Sequence, residues 1–208
     1  MVISHSLSTD VGRTQLSCLK KPNRSLMIAK TLITLAAVIV VFLIVAAFQP
    51  DDFKVERSTV VAATPAAAFA QVNDLRNWQE ISPYTKMDPT AKYTFSGPPG
   101  GVDAALAWKG NSKVGEGKMT IVESQPGERV RMRLDFEKPF KSTCFSEFGF
   151  RPTASDGTQT SVTWSMTGKK AFVMKAMGLV MSMDKMVGGQ FEEGLANLKS
   201  TVEAKTKK

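Results

Sequence analysis

The chain has 208 residues, 43% of them hydrophobic, a formal net charge of +8 and a pI near 9.5. The charge divides evenly: residues 1–30 hold five Lys/Arg against one acid, and residues 51–208 hold 22 against 18, so each part carries +4. The excess in the larger part is spread thinly, which argues against nucleic acid as a partner.

Residues 1–30 are polar and basic without periodicity, and are expected to form a disordered tail. From Thr31 to Phe48 the chain reads TLITLAAVIVVFLIVAAF, with no charge, Gly or Pro. As a helix this run reaches about 27 Å, close to the roughly 30 Å hydrocarbon core of a bilayer. A transmembrane helix over 31–49 is expected, with 50–208 as the folded domain. Basic residues precede the run, and Asp51 and Asp52 follow it. The positive-inside rule then puts the tail in the cytoplasm and the domain across the membrane, in the periplasm if the cell is Gram-negative. A cleaved signal peptide is the alternative, since Val45-Ala46-Ala47 loosely matches a small-residue cleavage site. The long leader and long apolar run favour an uncleaved signal-anchor.

Phe53–Val61 alternates as a strand, with Phe53, Val55, Thr59 and Val61 in phase. Thr64-Pro65 is an N-cap followed by a first-turn Pro, opening a short helix over Ala66–Asp74. A broken helix and loop bounded by Pro83 and Pro89 comes next. Strands are expected over Lys92–Ser96, Asp103–Lys109, Lys118–Ser124, Glu128–Lys138, Lys141–Arg151 and Thr158–Gly168. They are separated by turns at Gly97–Gly101, Pro126-Gly127 and Asp156-Gly157. In Glu128–Lys138 the apolar Val130, Met132, Leu134 and Phe136 alternate with Arg131, Arg133 and Asp135, one face dry and one wet. From Ala171 to Lys205 the period becomes helical, with Gly178 and Gly188-Gly189 as points of kinking or division. The fold class is α+β: an antiparallel sheet of about seven strands curved around a long C-terminal helix, preceded by the membrane helix. A curved sheet around a helix leaves a gap, the physical basis of a ligand cavity.

In that order the chain resembles the SRPBCC, or START-like, helix-grip superfamily, most closely its bacterial polyketide cyclase/dehydrase branch. The stretches that carry the resemblance are FKVERSTVVAATPAAAFAQVNDLRNWQEISPY, TKMDPTAKYTFSGPPGGVDAALAWKGN, EGKMTIVESQPGERVRMRLDFEKPFKST, and VTWSMTG followed by MGLVMSMDKMVGGQFEEGLANLK. They span about residues 53–203. After Asn77-Trp78 such proteins often carry further tryptophans, where this chain has Ile81 and Tyr84. The resemblance implies an apolar pocket for lipids or other hydrophobic molecules. Only some members are enzymes, and no activity transfers from the family name.

No catalytic constellation is evident. The single histidine, His5, lies in the tail, which removes His-dependent triads and His-based metal sites from the domain; no metal or other cofactor is expected. Cys18 and Cys144 lie on opposite sides of the apolar run and form no CxxC, so neither a disulfide nor a zinc site is expected. Glu192 and Glu193, adjacent on a helix, read as a solvated face. Asp184 is the best candidate for a buried polar group, although an ion pair or solvent exposure is the preferred reading of it. Met174, Met177, Met181, Met183 and Met186 cluster on the final helix. Methionine adapts to varied apolar ligands, although core packing uses it too. The candidate cavity lining is Met177, Val180, Met181 and Asp184 from the helix and Trp108, Met132, Phe136, Trp164 and Met166 from the sheet, with Trp78 and Tyr84 near the entrance. The leading expectation is a membrane-anchored module that binds a hydrophobic small molecule or lipid. The alternatives are a cyclase or dehydratase acting on an apolar substrate, and a non-catalytic partner of a membrane complex. No motif names a protein partner.

Overall fold

The computed structural model describes residues 24–153, 155–170, 172–179 and 182–206. The chain divides into two units, the boundary falling between Val41 and Phe42. The first helix, α1 (Arg24–Ala47), crosses that boundary and begins earlier than the apolar run, at Arg24. Its stretch Met27–Ala47 is 21 residues long and apolar enough to cross a membrane. The hydroxyls of Thr31 and Thr34 donate back to the carbonyls of Met27 and Lys30, each at 3.0 Å, so the helix satisfies its own polar groups.

After a four-residue link the sheet begins with β1 (Asp52–Val61). Thr64 caps α2 (Pro65–Asn73), its Oγ1 accepting from the Ala67 amide at 3.3 Å, with Pro65 in the first turn. A 3-10 turn (Leu75–Asn77) and two single-turn helices follow, α3 (Trp78–Ile81) and α4 (Tyr84–Met87). The chain then meanders through β2 (Lys92–Ser96), β3 (Ala105–Lys109), β4 (Glu116–Gln125), β5 (Arg129–Lys138), β6 (Ser142–Pro152) and β7 (Thr160–Lys169). The sheet order is β1-β7-β6-β5-β4-β3-β2, antiparallel throughout, with β1 returning beside β7. Register shifts in β4 after Glu116 and after Ile121 add to the curvature of the sheet.

Two sequence expectations change. The strand expected from Asp103 starts at Ala105, because Asp103 adopts φ 69° in a turn, outside the extended conformation, although its amide still donates to the Ile121 carbonyl at 2.9 Å. The helix expected over Ala171–Lys205 is two helices, α5 (Phe172–Gly178) and α6 (Met183–Thr206). The division falls after Gly178. Gly188-Gly189 passes through α6 unbroken, and Gly188 has a packing reason: a Cβ there would lie 2.3 Å from the Arg57 guanidinium.

The core lies between the sheet and α6. Phe191, Leu195, Leu198 and Val202 are buried on one helix face, at the spacing that a helix stripe requires. Opposite them lie Val55, Val130, Met132, Phe148, Val162 and Trp164. Trp164 is the centre of the grip. Its ring stacks on Phe191 with centroids 4.1 Å apart and planes within 3°, and on Phe148 at 4.8 Å. The Trp164 indole donates to Ser146 Oγ at 2.8 Å, which satisfies its buried N–H. Gly194 allows the approach, since a Cβ there would be 2.5 Å from the ring.

Candidate functional site

Packing between sheet and helix is complete over the middle of the strands and fails at one end. There a hollow of about 310 Å³ opens where β1 and β6 begin and β5 and β7 finish. Its sheet wall is Phe53, Phe136, Ser142, Thr143, Cys144, Met166 and Lys169, and Pro139 and Phe140 come from the β5–β6 turn. Its helical wall is Met174 and Met177 of α5 and Met183, Met186 and Val187 of α6, with Tyr84 of α4 closing one side. Among the described residues, this end of the sheet is walled by two separate helices, α5 and the start of α6. A second hollow of about 90 Å³ adjoins the first, lined by Trp78, Ser82, Tyr93, Leu106, Trp108, Val114, Met119 and Leu134. Tyr84, Phe136 and Met166 line both and form the partition.

The expected site residues separate into five groups. Tyr84, Phe136, Met166 and Met177 line the larger hollow, and Trp78 and Trp108 line the smaller one. Met132 and Trp164 line neither: they are 0% and 3% exposed and belong to the packed core. Large apolar residues at mid-strand face α6 directly, and only those at the strand ends meet the gap. Val180 and Met181 lie outside the described residues. Asp184 is not a buried polar group facing the cavity. It sits in the first turn of α6 with half its side chain exposed, and its carboxylate accepts from Arg57 Nη1 at 2.7 Å and Nη2 at 2.9 Å. Glu192 is likewise more than a solvated carboxylate, accepting from Arg57 Nε at 2.7 Å. Glu193 pairs with Lys86 at 2.6 Å. Arg57 occupies the inner-face position between Val55 and Thr59, and the two carboxylates raise its affinity for its proton further. The Arg57 hydrogen bond in turn holds the Asp184 carboxyl below the ordinary 3.8. The cluster ties the start of α6 to β1 and so fixes one wall of the cavity.

Sequence reasoning did not select Phe53, Pro139, Phe140, Met174, Met183, Met186 or Val187 as wall residues. The methionine cluster was a signal for three of them. Phe140, a large apolar side chain in a tight turn between lysines, was another.

Polar groups in the larger hollow are few. Burial pushes the Tyr84 phenol up to about 12, with Cys144 adding to the effect, so it stays a neutral donor. Tyr84 Oη has no hydrogen-bond partner among the described residues. Burial, then Asp135, pushes the Cys144 thiol up to about 12, which makes it a structural thiol and a poor nucleophile. Thr143 donates to Asp135 at 2.7 Å. Asp88 fixes the position of Tyr84 by anchoring the end of α4. Its buried carboxylate accepts from the Thr90 amide at 3.0 Å, the Thr90 hydroxyl at 2.7 Å and the Asn111 amide at 2.6 Å. Among the described residues no three His, Cys, Asp or Glu side chains are placed to hold a metal ion.

Comparison with known proteins places this geometry. The sequence profile of the family described as polyketide cyclase/dehydrase and lipid transport matches residues 52–203. No curated protein matches the chain. Among solved structures, norcoclaurine synthase from Thalictrum flavum, determined with a transition-state analogue, is similar at TM-score 0.57 and 11% identity, over 74% of this chain and 96% of that one. The Zhui aromatase/cyclase from a Streptomyces species is similar at TM-score 0.54 and 12% identity, over 74% and 96%. A protein from Nitrosospira multiformis is similar at TM-score 0.53 and 16% identity, over 75% and 100%. At these identities the neighbours share the fold alone. The profile covers most of the chain, and the sheet gripping its C-terminal helix is the START-like arrangement, so the chain belongs to the polyketide cyclase/dehydrase and lipid transport family of the SRPBCC superfamily.

Proposed function

We propose that this protein is a membrane-anchored module that holds a hydrophobic small molecule or lipid in the cavity at the open end of its sheet. The observation that carries the reading is the 310 Å³ hollow, walled by five methionines and three phenylalanines. It lies at the lower end of the range of about 300–1,000 Å³ that small-molecule sites occupy. Methionine walls adapt to varied apolar shapes. The family description, which includes lipid transport, supports the same class of ligand.

In this reading residues 1–30 are a basic cytoplasmic tail, 31–49 the signal-anchor helix and 50–208 the ligand-binding domain across the membrane. Support comes from the length of the apolar helix and the charges on either side of it. A cleaved signal sequence would have the same helix, and intact N-terminal peptides in the membrane fraction separate the two.

Catalysis by a cyclase-like route is the second reading, favoured by the Tyr84 hydroxyl, which has no partner among the described residues, and by the aromatase/cyclase among the structural neighbours. It is the weaker one. General acid–base catalysis works best with a group that titrates near the working pH, and the two titratable side chains in the wall that shift, Tyr84 and Cys144, both sit at about 12.

Native mass spectrometry of the full chain released from membranes tests the binding reading. A bound apolar species lost on denaturation is the expected result. A protein of bare mass, with nothing apolar recovered by solvent extraction, would overturn it.

A further inference from the structure

The ligand class can be narrowed from the few polar groups of the cavity. Of its fifteen lining residues, only Lys169 carries a formal charge. Nearby lysines are already engaged: Lys175 with Asp51, and Lys138 with Glu116 at 2.9 Å. Lys169 makes no ion pair with a described residue, although its charge acts on the Asp51 carboxyl that Lys175 already holds. In the β6–β7 ladder Cys144 lies opposite Gly168, so Lys169 falls beside Thr143 at the strand end, one residue out of phase with Ser142, and meets the hollow only at its mouth. The Ser142 hydroxyl also has no hydrogen bond to a described residue. One cation and one hydroxyl thus sit at the rim of an apolar hollow. The Tyr84 hydroxyl, also unpartnered, stands at the partition to the inner hollow. The volume suits one hydrocarbon chain better than the pair carried by a diacyl lipid.

We propose that the cavity takes a single-chain amphiphile with an oxyanion head, the head held at the rim by Lys169 and Ser142 and the chain running inward over the methionines to Tyr84. This inference rests on the hydrophobic-ligand reading and names the chemistry of that ligand. Lys169 is exposed, so its attraction for an anion is partly screened and acts on choice of ligand more than on total affinity. The head is a carboxylate, as in a fatty acid, or a phosphate, as in a lysophospholipid.

The test uses the full chain in phosphatidylcholine nanodiscs and four photoreactive probes. These are a long-chain fatty acid with a diazirine near its methyl end, its methyl ester, a lysophosphatidic acid and a diacyl phosphatidylcholine, the last two carrying the same chain. Mass spectrometry then locates the adducts. The expected result is labelling of Met174, Met177 or Tyr84 by one or both single-chain anions, about fivefold above the ester. That preference should vanish in Lys169→Met and persist in Lys169→Arg. Labelling by the acid alone assigns a carboxylate head, and by the lysophosphatidic acid alone a phosphate head. Equal labelling by acid, lysophosphatidic acid and ester, or a preference that survives Lys169→Met, overturns the oxyanion head. Diacyl labelling as strong as single-chain labelling overturns the single chain. Those outcomes leave the hydrophobic-ligand reading standing, whereas no cavity labelling by any probe overturns both.

Discussion

Asp88 lies between Met87 and Pro89, a place where sequence alone suggests only a loop, yet it holds Tyr84 against the cavity. Its carboxyl is held below the ordinary 3.8, first by the Thr90 hydroxyl and then by the Asn111 amide. The sign of the linkage follows. A carboxylate with a depressed folded value adds stability that is complete above its unfolded value and is lost as the pH falls through the folded one. On acidification from about pH 7 to about pH 3, the thermal midpoint of Asp88→Asn should therefore fall less steeply than that of the parent chain. The midpoint at neutral pH should be lower in the variant. Equal slopes would mean that Asp88 is not ionised against these donors in the fold. Tyr84 makes the complementary case: Tyr84→Phe removes a hydroxyl with no hydrogen-bond partner among the described residues, so stability should be nearly unchanged while retention of an oxygen-bearing ligand falls, read by native mass spectrometry.

At the scale of elements, the division of the C-terminal helical region matters most. α6 grips the sheet through Trp164, and α5 with the first turns of α6 walls the hollow. Trp164→Ala should cost about 3–5 kcal/mol, as for a large aromatic removed from a packed core. Met177→Ala, at a side chain 46% exposed, should cost well under that and lower ligand occupancy instead. Denaturant titration followed by circular dichroism measures the first effect, and native mass spectrometry the second. The contrast also explains what the sequence could reveal. Strand phase was legible in β5 and β7, because alternation of Val130, Met132 and Leu134 with charged residues follows directly from the pleat. Which inward residues touch a ligand was not. Met132 and Met166 have the same chemistry and both point inward. They differ in distance from the sheet end, which depends on where α6 starts. Periodicity marks the face of a helix, and a glycine such as Gly178 or Gly188 marks a possible break without saying which break is used.

For the whole molecule, the sheet-and-helix architecture was readable because seven strands and a terminal helix leave few ways to cover one apolar face. The alternation and the family stretches agreed on it. The membrane arrangement is testable at the same scale. Reporter fusions at residue 51 and at the C-terminus should be active on the far side of the membrane, and a fusion in the tail should be active in the cytoplasm. Activity of all three on one side would exclude a spanning anchor. A chain beginning at residue 50 should appear in the soluble fraction.

The link from Ala47 to Asp52 is only four residues long, Phe48–Asp51. Fully extended, five Cα steps reach about 18 Å. With α1 held in a bilayer, as proposed, the cavity wall that begins at Phe53 is leashed to its own reservoir of ligand. Short tethers give effective concentrations on the order of millimolar. Such a site can be filled at an intrinsic dissociation constant approaching that value, and rapid release back into the leaflet comes with it. The same domain cut from its leash and diluted should hold less ligand than the full chain, although its walls are unchanged.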